Sequence, residues 1–421
     1  MDSFVINGGN ELKGEITVKG SKNAATKLIA ATLLTEETCT LIGLPDIADV
    51  SVMLEILEEM GATLEREGEE TRITNADIDP KKLPHDKVRK LRSSIVLAGP
   101  LLARFGEVTL AYPGGDKIGA RPVDTHLHAF ADLGCDVSKR EDTFTIRAPK
   151  EGAAAEKVVL DEFSVTATEN IMMFAASRAR PLHIAVAANE PHIQDLALFL
   201  SQMGAQVELL PFHRIVVTGV DSRAGARHAV RPDYIEAGTF VAAVLAIGGD
   251  VRIANFPTED LELFLHALVQ RGANITVENA RTVRVQTSPN LALGRIQTMI
   301  YPGIPTDLQA PLGVLATQSN GTTFIHDPMY EGRLRYLSVL ADMGATVNML
   351  DVHRAEVTGP TKLKGIDVHG EDIRSAMSFI IAGLAAEGTT TIHDAYPVER
   401  GYEAIDERLR ALGADIQRVS E

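Results

Sequence analysis

The chain contains only two cysteines, Cys39 and Cys135. That is too few for a disulfide framework or a cysteine-rich metal site, and both are expected to be small buried residues. Long apolar runs are missing too: none approaches the roughly eighteen residues of a membrane span. The opening Met1-Asp-Ser-Phe-Val5 lacks the basic-then-apolar layout of a secretory leader, so a cytoplasmic location is expected. Basic charge is in deficit, with 41 Lys and Arg against 57 Asp and Glu and a net charge of -16. This balance disfavours nucleic acid or an anionic membrane as the main partner. An anionic substrate would therefore need a local cluster of Lys and Arg. The twelve histidines form no metal-spaced cluster, and His126 and His128 are expected along one helix.

What remains is a chain of 421 residues, 45% apolar, with mean hydropathy near zero at +0.03. That is enough to bury a sizeable core divided between two domains. A signature of the form Leu-x-x-(Met/Leu/Arg)-Gly-(Ala/Cys)-x-(Leu/Val/Ile) recurs along it. Its glycines are Gly61, Gly134, Gly204, Gly272, Gly344 and Gly413, spaced by 73, 70, 68, 72 and 69 residues. Each copy reads as an amphipathic helix closed by a glycine and followed at once by an alternating strand. A second signature interleaves with it: an Ala-rich helix, a turn that commonly carries Gly, and a β-branched strand such as Gly321-Thr-Thr-Phe-Ile325. The pattern predicts an α/β module repeated six times, grouped as three units in each of two domains.

Two features of this pattern point to chemistry. The Ala-rich helices begin near Lys22-Asn23, Arg92-Ser93-Ser94, Ser164 to Asn170, Asp233 to Thr239, Pro305-Thr306-Asp307 and Asp372 to Ser375. Ser, Thr, Asn and Asp serve there as N-caps, but capping does not require Lys22, Arg92 or Arg374. Several helix N-termini with added cations would bind phosphates and carboxylates despite the net negative charge. The stretch Tyr112 to Asp124 packs three glycines, two prolines and four charged side chains into thirteen residues. It reads as a mobile loop with Asp116 at its tip and Arg121 at its return.

At this point the residues resemble the enolpyruvyl transferases, essentially end to end. The resemblance rests on Gly20-Ser-Lys-Asn-Ala-Ala25, Gly99-Pro-Leu-Leu-Ala-Arg-Phe-Gly106, Pro113-Gly-Gly-Asp-Lys-Ile-Gly-Ala-Arg-Pro-Val-Asp124, Ala167-Thr-Glu-Asn-Ile-Met-Met173, Tyr301 to Ala310, and Arg400-Gly-Tyr-Glu403. It implies an α/β fold of the inside-out barrel type, six βαβαββ repeats with three per domain. Residues 22-231 would form one domain, carrying the loop 112-124, and 1-21 plus 232-421 the other, with the active site in the cleft between them. It also implies phosphoenolpyruvate and UDP-N-acetylglucosamine as substrates, a place in peptidoglycan synthesis, and neither metal nor organic cofactor. A monomer or weak homo-oligomer is expected.

By the same resemblance Asp307 is the candidate base for the sugar 3-hydroxyl and Asp116 the proton donor. Lys22, Arg121 and Arg400 would hold phosphate and carboxylate, with Arg92 and Arg374 close behind. Asn23, Glu190 and Arg333 fall at positions near the reacting centre or closure contacts, and Met329 at a substrate-binding position. Pro122, Val123, Asp124, Ser164, Val165 and Thr166 fall where the family holds the nucleotide. The chain departs from the commonest family pattern at several positions. Asp116 replaces a loop Cys, Thr125 a hydrophobic residue, Glu162 a Lys and Thr166 a Gly, while Tyr234 and Gly332 stand where Arg and Asn are common. The Asp in place of Cys implies insensitivity to fosfomycin. The altered segment 162-166 keeps open transfer to a different acceptor, or a paralogue that binds without turnover.

Overall fold

The repeat glycines behave alike in the structure. Gly61, Gly134, Gly204, Gly272, Gly344 and Gly413 have φ between 85° and 115°, the left-handed region open to glycine without penalty. Each therefore stops a helix and turns the chain into a strand. The protein is described here by a computed structural model covering residues 2-115, 118-119, 121-149 and 155-420.

Two compact units emerge. One contains residues 20-115 and 121-231; the other contains residues 1-19, 116-120 and 232-421. Each has its own hydrophobic core. One core is drawn from Ala24 to Val230. The other combines Phe4 to Val18 with Tyr234 to Ile416.

Six sheets are present among the described residues, five of four strands and one of three. The four-stranded sheets share one plan. In one of them Lys157–Val159 runs parallel to Leu182–Ala185, which pairs antiparallel with Arg214–Thr218, itself antiparallel to Gln206–Leu210. The corresponding parallel edges are Arg227–Ala229 on Cys39–Ile42, Leu12–Thr17 on Gly249–Ala254, Arg295–Gln297 on Gly321–His326, and Asp367–His369 on Thr389–His393. Among the described residues, the sheet of Glu107–Ala111, Thr143–Arg147 and Asp136–Lys139 has no such edge strand.

The N-terminal strand Asp2–Asn7 lies inside a sheet built otherwise from the far end of the chain. It pairs antiparallel with Thr389–His393 on one side and Asp415–Ser420 on the other. Alternate residues Phe4 and Ile6 are fully buried, each worth about 1.5-3 kcal/mol of transfer free energy.

Beneath the sheets run the Ala-rich helices. Helix Lys22–Thr32 is buried from Ala24 to Thr32, and Val165–Ala175 from Ala167 to Ala175. Tyr234–Ile247 is buried from Tyr234 to Ala246, as an all-round apolar helix must be. Close approach between such helices selects small residues. A Cβ on Gly99 would stand 2.3 Å from the Asn170 carbonyl oxygen. In its absence the Gly99 N–H donates to Asn170 Oδ1 at 2.7 Å. Those two residues belong to separate sequence motifs, and this contact gives both a packing reason.

Candidate active site

The site residues are built from the helix starts. In the unit of residues 20-231, Ser21 caps helix Lys22–Thr32 by accepting from the Ala24 N–H at 3.3 Å. Lys22 therefore opens the helix, with Asn23 beside it, and its ammonium pairs with Asp49 at 2.7 Å. Arg92 opens a 3-10 turn, Arg92–Leu97, that has no side-chain cap. Its guanidinium donates to the Pro122 carbonyl at 3.1 Å, tying it to the return of the glycine-rich stretch. Arg92, Tyr112, Arg121, Pro122 and Asp124 line one hollow of about 250 Å³, which Val123 and Lys139 complete. Lys139 pairs with Asp124, holding that carboxyl below its usual range.

Ser164 caps helix Val165–Ala175, accepting from Ala167 N–H at 3.4 Å, so Val165 and Thr166 form its first turn. A polar network crosses from this turn to helix Asp124–Asp132. Asn170 is fixed in orientation: its Oδ1 accepts from Gly99 and its Nδ2 donates to the Ile95 carbonyl at 2.9 Å. The same Nδ2 meets His126 Nδ1 at 2.9 Å, so the imidazole accepts there, carries its hydrogen on Nε2 and donates to Thr166 Oγ1 at 3.0 Å. Burial, with Arg92 nearby, pushes His126 down to about 3, which keeps it neutral. Thr125 Oγ1 donates to Glu162 Oε1 at 3.2 Å. Three positions that depart from the family pattern, Thr125, Glu162 and Thr166, thus belong to contacts between the same two segments. Glu190 precedes helix Pro191–Gln202, and burial raises its carboxyl above the ordinary value.

In the other unit the centre is Asp307, in the 3-10 turn Thr306–Leu308. Arg333 Nη2 donates to its Oδ1, and Arg374 Nη2 lies 3.4 Å from its Oδ2. Arg374 enters helix Ile373–Ala385 under the cap of Asp372, which accepts from the Arg374 and Ser375 N–H groups at 3.0 and 3.2 Å. Its other terminal nitrogen donates to the buried Tyr402 hydroxyl at 2.9 Å. Burial opposes the charge on Arg374, but Tyr402, Asp307 and Asp233 outweigh it, so the guanidinium is held above its ordinary value. Arg333 is treated alike by Asp307, Asp372 and Asp327, and its Nε donates to Thr306 Oγ1 at 3.1 Å. Met329 is exposed, its N–H donating to Asp327 at 2.9 Å, and Arg400 ends the short helix Tyr396–Glu399.

Ile118 and Gly119 group with this second unit. The Gly332 N–H donates to the Ile118 carbonyl at 3.0 Å, and a Cβ on Gly332 would meet the Ile118 carbonyl carbon and oxygen at 2.8 Å. The glycine is therefore required where Asn is expected, because only a bare backbone allows this approach. Asp116 and Lys117 lie outside the described residues. Among the described residues no group of three or more His, Cys, Asp or Glu could hold a metal ion. No helix among them is long and apolar enough to cross a membrane. Cys39 and Cys135 are buried, as expected, and burial pushes their thiols up to about 11 and about 12.

The profile of the EPSP synthase (3-phosphoshikimate 1-carboxyvinyltransferase) family matches residues 6-409. The chain belongs to the enolpyruvyl transferase family. Among curated relatives, UDP-N-acetylglucosamine 1-carboxyvinyltransferase of Gluconobacter oxydans is 40% identical over 423 residues, covering all of both chains. The protein of that name from Trichlorobacter lovleyi is 39% identical over 421 residues, again covering both in full. Among solved structures this transferase is similar to the enolpyruvyl transferase NikO from Streptomyces tendae, with a TM-score of 0.89, 23% identity, and 100% and 99% of the two chains covered. EPSP synthase of Acinetobacter baumannii follows at 0.75 and 20% over both full chains. These two likenesses show the α/β enolpyruvyl transferase fold expected from the sequence.

Sequence reasoning missed several partners of the site residues. Asp49 carried no signal, being one acid among many in an amphipathic helix. Tyr402 lay in a quoted motif but received no role, although its hydroxyl orients Arg374. Asp327 and Asp372 serve Thr306 and Arg333 across gaps of 21 and 39 residues, with contacts of 2.6 and 3.8 Å.

Proposed function

We propose that this transferase moves the enolpyruvyl group of phosphoenolpyruvate to the 3-hydroxyl of UDP-N-acetylglucosamine and releases phosphate. The observation that carries this reading is Asp307 between Arg333 and Arg374, in a chain about 40% identical over its whole length to enzymes named for that substrate. The hydroxyl oxygen adds to C2 of phosphoenolpyruvate while C3 takes a proton, giving a tetrahedral adduct. Loss of a C3 proton and of phosphate then restores the double bond. Asp307 takes the hydroxyl proton, its carboxylate oriented by the guanidiniums of Arg333 and Arg374. Lys22, Arg121 and Arg400 neutralise phosphate and carboxylate, with Arg92 and Arg374 beside them. Asp116 exchanges the proton at C3. In this reading the product enters peptidoglycan synthesis and the enzyme works in the cytoplasm.

A second reading, transfer to another acceptor, is favoured by the Thr125 to Glu162 contact, which puts an acid where the family pattern has a lysine. Phosphate release from phosphoenolpyruvate is the test, with UDP-N-acetylglucosamine, with shikimate 3-phosphate and without acceptor. Release that requires the UDP-sugar supports the first reading. Folded protein that releases none with it overturns that reading.

A further inference from the structure

Helix Lys22–Thr32 carries a second lysine in very different surroundings. Lys27 is only 4% exposed, and its Nζ lies 3.9 Å from Oε2 of Glu169 in helix Val165–Ala175. Glu169 is fully buried, and neither of its carboxyl oxygens meets a hydrogen-bond donor. Its Oε1 is 3.8 Å from Nε2 of the buried His192. These are ion-pair separations, too long for hydrogen bonds. A carboxylate stripped of both water and donors is expensive to ionise. Burial accordingly pushes Glu169 up to about 8, with Lys27 pulling it back and Glu190 adding to the rise. Burial likewise draws Lys27 below the usual lysine value.

The charged groups facing this pair come from every side. Lys22, Asp49 and Arg121 act on Lys27, while Glu190 and His192 act on Glu169. His126, on helix Asp124–Asp132, is turned instead to Thr166 and Asn170. Lys27 therefore couples a buried carboxyl to Lys22 and Arg121.

We infer that Lys27 and Glu169 form a buried proton store beneath the anion site, and that its charge sets how tightly Lys22 and Arg121 hold phosphoenolpyruvate. With both groups protonated the pair carries +1. Loss of one proton to solvent makes it neutral, whichever of the two releases it. The phosphoenolpyruvate anion is favoured by the first state and loses that attraction in the second. Glu169 touches no substrate in this scheme and is a positioning residue. The inference rests on the proposed function only in taking Lys22 and Arg121 as ligands of phosphoenolpyruvate.

The test is calorimetric Kd for phosphoenolpyruvate on the full chain from pH 7 to 9.5, a range that starts above the titration of the phosphate itself. Wild-type Kd should rise roughly three- to tenfold through a midpoint near pH 8, the size of one partly screened unit charge. Lys27→Met should move the midpoint to higher pH, because Glu169 loses its cation. Glu169→Gln should move it higher as well, because only Lys27 is then left to release a proton. Such displacements are not expected of a merely structural pair, and either variant alone decides the matter if the other does not fold. Profiles that superimpose on wild type overturn the inference. Infrared spectra of the free protein probe the pair without ligand, and so separate it from the functional reading. A protonated-carboxyl band at pH 7 that disappears in Glu169→Gln supports the store, and no such band overturns it.

Discussion

Arg374 gives one terminal nitrogen to the Tyr402 hydroxyl at 2.9 Å and sets the other 3.4 Å from Asp307. The same hydroxyl meets Thr239 at 3.1 Å, so a buried tyrosine in the turn before helix Ile405–Ala411 and a threonine on helix Tyr234–Ile247 fix how the guanidinium is aimed. Tyr402→Phe keeps the ring and removes the aim. Urea unfolding should show a loss of about 1.5-3 kcal/mol, the usual figure for a hydrogen bond to a charged group. Steady-state kinetics should show kcat reduced severalfold with KM for the UDP-sugar little changed. An unchanged kcat in the folded variant would mean that Asp307 does not depend on this arm of Arg374.

Asp116 is expected to be the proton donor, and a carboxyl near its reference value of about 3.9 is mostly ionised at neutral pH. Donation at pH 7 needs a rise of roughly three pH units, about 4 kcal/mol, from desolvation and neighbouring substrate anions. Asp116→Asn should therefore abolish turnover or reduce it severely, and near-normal turnover would remove Asp116 from the mechanism. Wild type should resist fosfomycin, because a carboxylate is a poorer nucleophile than a thiolate toward its epoxide. Mass spectrometry after incubation with the drug gives the check: a covalent adduct on residues 112-124 would contradict the expectation.

Glu162 accepts from Thr125 beside the first turn of the helix that begins at Val165. If this segment holds the diphosphate, Glu162→Lys exchanges repulsion for attraction there. KM for UDP-N-acetylglucosamine should then fall about tenfold, within the 1-3 kcal/mol expected of a charge-assisted contact, while KM for phosphoenolpyruvate stays put. Equal changes in both constants would place Glu162 away from the acceptor.

His126 also makes a prediction about pH. Its folded-state value is depressed to about 3, against about 6.5 for an exposed histidine. Below pH 6.5 the unfolded chain binds a proton that the native imidazole refuses, so the stability this group gives at neutral pH is lost as pH falls. Between pH 7 and pH 5 the loss from this one residue is about 2 kcal/mol. Urea unfolding of wild type and His126→Asn at the two pH values isolates it. The variant should lose about 2 kcal/mol less over that interval, and equal losses would show that the native imidazole protonates freely.

How much of this could be read from the sequence depended on range. The six glycine stops were legible because each is a local matter of helix, left-handed turn and strand, and all six turned out alike. The positions of Lys22, Arg92 and Arg374 were legible because they stand at helix starts, where a cation that caps nothing is conspicuous, and Ser164 was legible as the cap of its own helix. Pairings across the chain were not. A parallel edge such as Lys157–Val159 is three residues long and carries no periodicity of its own. Asp49 looks like an ordinary member of an amphipathic helix, and Tyr402 like an ordinary turn residue, until the fold brings them to Lys22 and Arg374. Gly332 read as a departure from pattern; its reason is the Ile118 backbone, more than two hundred positions away.

The strand Asp2–Asn7 is held between Thr389–His393 and Asp415–Ser420. On the ribosome its order of appearance and its order of use are therefore opposite: a strand made before residues 20-231 waits for two made after them. Residues 20-231 can meanwhile assemble around their own core, so the chain should mature from the inside outward. A fusion that tethers the N-terminus, or a nascent chain stalled before the final strand, should leave one folded unit attached to an open one with Phe4 and Ile6 exposed to whatever chaperone is at hand.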